Sequence, residues 1–316
     1  MTLDDIKKEI EEAKNIVILT HENPDGDAVG SSLASYLVLK KLGKNVDIVS
    51  SIYPRTYNFL PHCDETLREP KNDKYDLVIS LDCADIKRLD DPTGIFEKTK
   101  VKINIDHHSS NGMFGDYNFV DPVSPACCQI LTMIFEYWGI EIDKDIATCL
   151  LTGIITDTGG FRYEGVSSDT FEYVSEFLEK GVNLSKIYKQ SMQTISRSRF
   201  KIRNLAASRV EFLADGKIAF TYLTKKDMEE LGVLRSELDG IAENGRDVEG
   251  VEVSIFLYEL DNGFMASLRS NDYVNVADIC LLFNGGGHIK AAGATLPYSL
   301  EESKERIIAA VEKALK

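Results

Sequence analysis

The chain has 316 residues, 43% of them hydrophobic and 28% charged, which is enough apolar material for real cores and more length than one core ordinarily serves. Its 51 Asp and Glu against 36 Lys and Arg leave a formal net charge of -15, which excludes a protein that coats duplex DNA by neutralising phosphates alone. A phosphate-bearing substrate stays open, because bound divalent cations reverse the sign of a local field.

In chain order, residues 1–19 lack the basic start, long apolar run and small-residue cleavage site of a secretory leader. No apolar stretch approaches the roughly 20 residues of a membrane span, so no membrane association is expected. Residues 16–19, 77–81 and 101–105 are short apolar runs, predicted as strands buried on both faces, the hallmark of a parallel α/β sheet. Between the first two, residues 28–42 carry apolar side chains at helical spacing and stop at Gly43, after which a further strand is expected. Residues 180–210 hold eight Lys or Arg and no Asp or Glu. That stretch reads as a helical connector with a basic face, with a solvated linker and a surface for an anionic substrate given equal weight. The last third changes texture: strands are predicted at 209–213, 217–223, 251–259 and 263–268, and a final helix at 300–316. The six cysteines form no C-x-x-C pair and lie mostly among apolar neighbours, as reduced thiols do, so a cytoplasmic protein is expected.

Chemistry concentrates in four places, each read as the end of a strand. The first is His21-Glu22-Asn23-Pro24-Asp25-Gly26-Asp27. Pro24 forces Asn23 extended and Gly26 permits a turn, so His21, Asp25 and Asp27 converge. The second is Asp82, with Asp85 three residues on; the third is Asp106-His107-His108; the fourth is Asp157, ahead of Gly159 and Gly160. Each lone carboxylate is also what a helix cap or turn would use. Together, however, His21, Asp25, Asp27, Asp82, His107 and Asp157 make six mixed N and O donors, more than one ion with an open substrate position requires. Two ions about 3.5–4 Å apart, sharing a carboxylate, would use the set fully and suit displacement at phosphorus. Carboxylates with a minority of imidazoles and no thiolate favour Mn²⁺ over structural Zn²⁺.

These blocks resemble the DHH phosphoesterase superfamily, whose name-giving motif is Asp106-His107-His108; the other matches are His21 to Ser32, Ser80-Leu81-Asp82 and Thr156-Asp157. Ser267-Leu268-Arg269-Ser270, Asn284-Gly285-Gly286-Gly287-His288 and Ala291-Ala292-Gly293 resemble the DHHA1 domain. The resemblance covers nearly the whole chain and is strongest to the stand-alone oligoribonuclease and 3'-phosphoadenosine 5'-phosphate (pAp) phosphatase branch, the NrnA type. It implies an α/β fold with an N-terminal parallel-sheet DHH domain (1–183), a helical linker (184–208) and a smaller α/β DHHA1 domain (209–316). It also implies one Mn²⁺ on His21, Asp25 and Asp82 and another on Asp27, Asp82, His107 and Asp157, with Asp82 bridging. His108 would act as general acid or charge stabiliser, and Asp106 would orient its neighbours. Arg269, Ser270, Gly285, Gly286, Gly287 and His288 would bind substrate, with Asn271 adjacent.

The activity so implied is hydrolysis of very short single-stranded RNA to mononucleotides and removal of the 3'-phosphate of pAp. Hydrolysis of linear or cyclic diadenosine nucleotides and a non-catalytic nucleotide-binding regulator are the alternatives. A pyrophosphatase is disfavoured by the glycine block, which suits a nucleotide end better than a small diphosphate. Neither duplex DNA nor a membrane is an expected partner, and the oligomeric state is left open, a homodimer included.

Overall fold

The structure is a computed structural model describing residues 2–163 and 165–316. It divides into two compact units, Met1–Thr194 and Ile195–Lys316.

The first unit begins with α1 (Leu3–Glu12), capped by a Thr2/Asp5 capping box, and enters β1 (Asn15–Leu19). There follow α2 (Gly26–Lys41), β2 (Asn45–Val49), the two-residue β3 (Thr66–Leu67), β4 (Leu77–Leu81), a short α3 (Ile95–Lys98), β5 (Val101–Asp106) and β6 (Tyr117–Val120). Helices α4 (Cys127–Tyr137), α5 (Lys144–Asp157), α6 (Ser168–Glu179) and α7 (Leu184–Tyr188) complete it. All six strands are parallel, in the order β3-β2-β1-β4-β5-β6.

The apolar strand runs are buried on both faces because helices cover one face and α3 with its flanking segments the other. Ile16 and Ile18 point into the large core under α1, α2, α4 and α5, while Val17 and Leu19 join Val78, Ile95 and Phe96 on the opposite side. From β1 the sheet grows through β2 in one direction and through β4 in the other, so the crevice at this reversal opens at the carboxyl ends of the strands, where open α/β sheets bind ligands.

The stretch expected as a single connector consists of α7, a π-helical turn at Lys189–Gln193, and α8 (Arg197–Ser208). The first two lie in the first unit and α8 in the second. Ile202 and Ala206 of α8 are buried against Leu223, Met228 and Phe256, so α8 belongs to a core and is more than a solvated spacer.

In the second unit α8 is followed by β7 (Glu211–Leu213), β8 (Ile218–Leu223), α9 (Lys225–Leu231), α10 (Ile241–Arg246), β9 (Val253–Leu260), β10 (Gly263–Ser270), α11 (Val276–Leu281), β11 (Gly286–His288), β12 (Ala291–Leu296) and α12 (Leu300–Ala314). The mixed sheet runs β11-β12-β10-β9-β8-β7, with only β8 and β9 parallel. One face packs on α11 and α12, the other on α8, α9 and α10. Gly286, Gly287 and His288 of the glycine block form the edge strand β11. No helix among the described residues is long and apolar enough to cross a membrane.

Candidate metal centre

Three of the four motifs sit at the carboxyl ends of β1, β4 and β5. The fourth does not follow a strand: Asp157 is the last residue of α5. Its apolar run, buried all round between α2, α4 and α6, has the composition of a buried strand but the length of a helix. An acidic side chain at a helix C-terminus faces the negative end of the macrodipole, an arrangement a cap would avoid and a bound cation would relieve.

Two glycines let the helices meet. A β-carbon at Gly30 of α2 would lie 2.5 Å from the Cys149 carbonyl of α5, and one at Gly153 of α5 would lie 2.3 Å from Cys128 Sγ and 2.5 Å from Asp27 Oδ1. Close packing of α2 and α5 thus brings the start of one to the end of the other. Asp25 caps α2, its Oδ1 accepting from the amides of Asp27 at 3.0 Å and Ala28 at 3.1 Å. Asp27 is fully buried and accepts from Cys127 N–H at 2.5 Å and Cys128 N–H at 2.9 Å, so it caps α4, whose own Ala126 has no side chain to do so. That role across 100 residues of chain carries no local sequence signal.

Asp82 is buried and takes a left-handed backbone, φ 52°, as it leaves β4. Its Oδ1 makes no hydrogen bond, and neither does the buried Nδ1 of His21. His21 Nε2 lies 3.8 Å from Asp82 Oδ2, and His107 Nε2 lies 3.5 Å from Asp82 Oδ1 and 3.1 Å from Asp157 Oδ2. His107 Nδ1 faces the Ser124 carbonyl at 3.3 Å, so Nδ1 carries the hydrogen and Nε2 is aimed at the carboxylates. Donor atoms fall into three overlapping groups, each with its members within 4.8 Å of one another: His21, Asp25 and Asp82; Asp27, His107 and Asp157; and Asp82, Asp106, His107 and His108.

The electrostatics are those of a crowd of carboxylates. Burial, then the charge of Asp27, pushes Asp82 well above the usual carboxylate range, and the same two causes push Asp157 up to about 8. Burial raises Asp27 as well. For His107, burial works downward, but the Asp82 carboxylate 3.5 Å away and the charges of Asp27 and Asp157 outweigh it and push the imidazole up to about 10. Burial holds His21 low, against the pull of Asp25. In Asp106 burial is outweighed by His108 and Asn111, which donate at 2.7 and 2.6 Å and keep the carboxylate ionised. Asp82 Oδ1 and His21 Nδ1 are buried without a hydrogen-bond partner, as donors meant for a cation would be. Hard oxygens with two or three imidazoles fit divalent ions.

The residues expected to bind substrate lie together in the second unit, apart from Asp25, Asp82 and their neighbours in the chain. Arg269 on β10 donates from Nε to Glu243 Oε1 at 2.8 Å and from Nη1 to the Leu268 carbonyl at 3.0 Å. Its Nη2 has no hydrogen bond among the described residues. Ser270 is buried, its hydroxyl donating to the Val274 carbonyl at 2.7 Å. Asn271 fastens the turn after β10, donating to the carbonyls of Arg246 and Val251. Gly286, Gly287 and His288 are exposed on the edge strand, and Gly285 packs where a β-carbon would meet the Gly293 carbonyl at 2.3 Å.

Comparison with known proteins places these features in a lineage. The DHH family, N-terminal domain, matches residues 15–154 and the DHHA1 domain matches residues 215–316. The chain is 36% identical over 303 residues to the bifunctional oligoribonuclease and PAP phosphatase NrnA of Thermus thermophilus, covering 95% of this chain and 90% of that protein. It is 27% identical to a probable NrnA of Streptococcus mutans, covering 92% of each. Among solved structures it resembles an exopolyphosphatase-related protein from Bacteroides fragilis, at 28% identity and a TM-score of 0.90, over 98% of this chain and 95% of that one. A donor cluster at the sheet reversal, built from the name-giving triplet and carried on a chain that matches both domains in order, makes this protein a member of the DHH family with a DHHA1 second domain.

Proposed function

We propose that the protein is a two-metal phosphoesterase that hydrolyses short oligoribonucleotides to mononucleotides and removes the 3'-phosphate of pAp. The observation that carries this reading is the pair of donor groups linked through Asp82 and His107. His21, Asp25 and Asp82 would hold one ion; Asp27, Asp82, His107 and Asp157 would hold the other. When bound, two such ions supply Lewis acidity at a phosphoryl group and bring the pKa of water towards neutrality. Two or more imidazole donors favour Mn²⁺ over Mg²⁺, which prefers oxygen and retained water.

The chain's own groups do the rest. Asp106, kept ionised, accepts the Nδ1–H of His108 at 2.7 Å. The Nε2 of this half-exposed imidazole is then left to hold a proton for the leaving oxygen. The Ser124 carbonyl fixes the ring of His107, and the α4 amides fix Asp27, so neither donor needs to reorganise. In the second unit, the unoccupied Nη2 of Arg269 and the side-chain-free edge of Gly285, Gly286 and Gly287, with His288, would receive the phosphate and base of the nucleotide's far end. The relative of known name that is 36% identical acts on oligoribonucleotides and PAP, which supports this substrate class. Six free cysteines, five of them buried, agree with a cytoplasmic setting.

The test is purified protein with Mn²⁺, incubated separately with a labelled RNA ladder, pAp, linear diadenylate and cyclic diadenylate. Conversion of di- to pentaribonucleotides to mononucleotides, with phosphate released from pAp, is expected. Turnover confined to a diadenylate would replace the substrate assignment, and full turnover in excess chelator would remove the two-metal scheme.

A further inference from the structure

Beyond Asp157 the backbone runs through three consecutive left-handed residues, Gly159, Gly160 and Phe161, at φ 58°, 74° and 68°. Glycine takes this conformation freely, whereas for Phe161 it is strained and persists only because its surroundings over-determine it. The Phe161 amide donates to Thr158 Oγ1 at 2.9 Å, and its ring packs against the core beneath.

The turn produces an aromatic lip. Tyr163 lies across Gly159, so closely that a β-carbon there would meet Tyr163 Cζ at 2.5 Å. Phe171, in the first turns of α6, stands with its ring centroid 5.4 Å from that of Phe161. Tyr163 and Phe171 are 51% and 54% exposed, and neither contributes to a core. Beside Tyr163, Arg162 sets its guanidinium 5.9 Å from the Tyr163 ring, with Nε donating to the Gly159 carbonyl at 2.7 Å and no carboxylate partner among the described residues. Exposed aromatic faces with a cation alongside are what a single-stranded nucleic acid meets in a stacking groove. Here Arg162 and Tyr163 follow Asp157, a candidate metal donor, by five and six residues.

We propose that Tyr163 and Phe171 form a platform for the nucleobase next to the scissile phosphate, with Arg162 beside that nucleotide's backbone. The first unit then holds a nucleoside as well as the reacting phosphate. The inference rests on the phosphoesterase reading above and adds to it a preference for base-bearing esters that is indifferent to which base is present, since every base offers a π-face.

The experiment uses the full chain loaded with Mn²⁺ and two substrates: a diribonucleotide, and the same dinucleotide lacking the base on the residue that carries the scissile phosphate. The wild type should favour the intact substrate. Tyr163→Ala and Phe171→Ala should lose roughly five- to a hundredfold in kcat/KM on it, mainly through KM, and change little on the abasic one. Tyr163→Phe keeps the face and should behave as wild type. Phe171→Leu keeps the apolar contact with Phe161 and should still lose selectivity, which separates stacking from folding. Tyr137→Ala, an exposed aromatic on α4, should leave both rates unchanged. If the wild type cleaves both substrates and the variants lower both alike, or neither, the platform is wrong. If the wild type cleaves neither, the phosphoesterase reading itself falls first.

Discussion

Asp82 is the residue on which the most depends. It is buried, left-handed in backbone, unpaired at Oδ1 and within reach of both His21 and His107. Asp82→Ala should remove Mn²⁺ binding at both positions by isothermal titration. Hydrolysis should fall by more than the roughly 10–100-fold typical of a residue one step removed from an ion, the loss expected instead of Asp106→Asn. Asp85 caps a short 3₁₀ turn and belongs to none of the donor groups, so Asp85→Ala should cost at most about 1 kcal/mol of stability and little activity. Equal losses from both would show that the bridging carboxylate has been misassigned. A second acid tests the other unit. Asp227 accepts a fork from Arg209 at 2.6 and 2.9 Å and closes the capping box of α9. Burial alone would raise its carboxyl, but Arg209 and Thr224 outweigh burial and hold it at about 2, below its ordinary 3.8. The unfolded chain therefore takes up this proton first as pH falls, so the stabilisation is complete above about pH 4 to 5 and fades towards pH 2. The melting-temperature gap between wild type and Asp227→Asn should narrow over that window; a gap that widens on acidification would contradict the pairing.

At the scale of elements, the contact of α2 with α5 makes the site, and it can be perturbed in two opposite ways. Gly153→Ala forces a methyl against Cys128 Sγ and Asp27 Oδ1, and overpacking of this kind costs about 1–3 kcal/mol. The metal-free protein should lose that stability in chemical denaturation and bind Mn²⁺ less tightly, because Asp27 must move. Above about pH 8, where Asp157 ionises, Asp157→Asn removes a negative charge from the unfavourable end of α5. It should stabilise the metal-free protein by about 0.3–1 kcal/mol while weakening Mn²⁺ binding, a trade that a purely structural carboxylate would not show. These elements also mark the reach of the sequence. The runs at 16–19, 77–81 and 101–105 are legible because parallel strands buried on both faces have no other composition. The clustering of the candidate donors His21, Asp25, Asp82 and His107 is legible because each follows such a run. Asp157 is legible as a donor but not as a helical residue, since an apolar run buried on all sides loses its helical period. The capping of α4 by Asp27 and the strand at Gly286–His288 depend on partners far along the chain, and local pattern carries no trace of either.

For the whole molecule, the donors all come from the first unit and the expected far-end contacts from the second, each with cores of its own. Metal should therefore act on one transition only. At Mn²⁺ a hundredfold above its dissociation constant, a single site adds about 2.7 kcal/mol to the state that binds it. In scanning calorimetry the transition carrying the first unit, Met1–Thr194, should rise with Mn²⁺, and the Asp82→Ala protein should not respond. An equal shift of both transitions would mean that the second unit takes part in binding the ions.

The hydrogen bonds from Cys127 and Cys128 to Asp27 span 100 and 101 residues, and the donor set closes only with Asp157. For a chain emerging from a ribosome, that order has a consequence in time. Everything the ions would touch is outside the tunnel while residues 195–316 are still being added, about ten seconds of synthesis at ordinary rates. The nascent protein would thus complete its candidate metal centre before its second unit is made, and a bound cation would pull the slow, long-range pairing of a six-stranded parallel sheet to completion while the rest of the message is still being read.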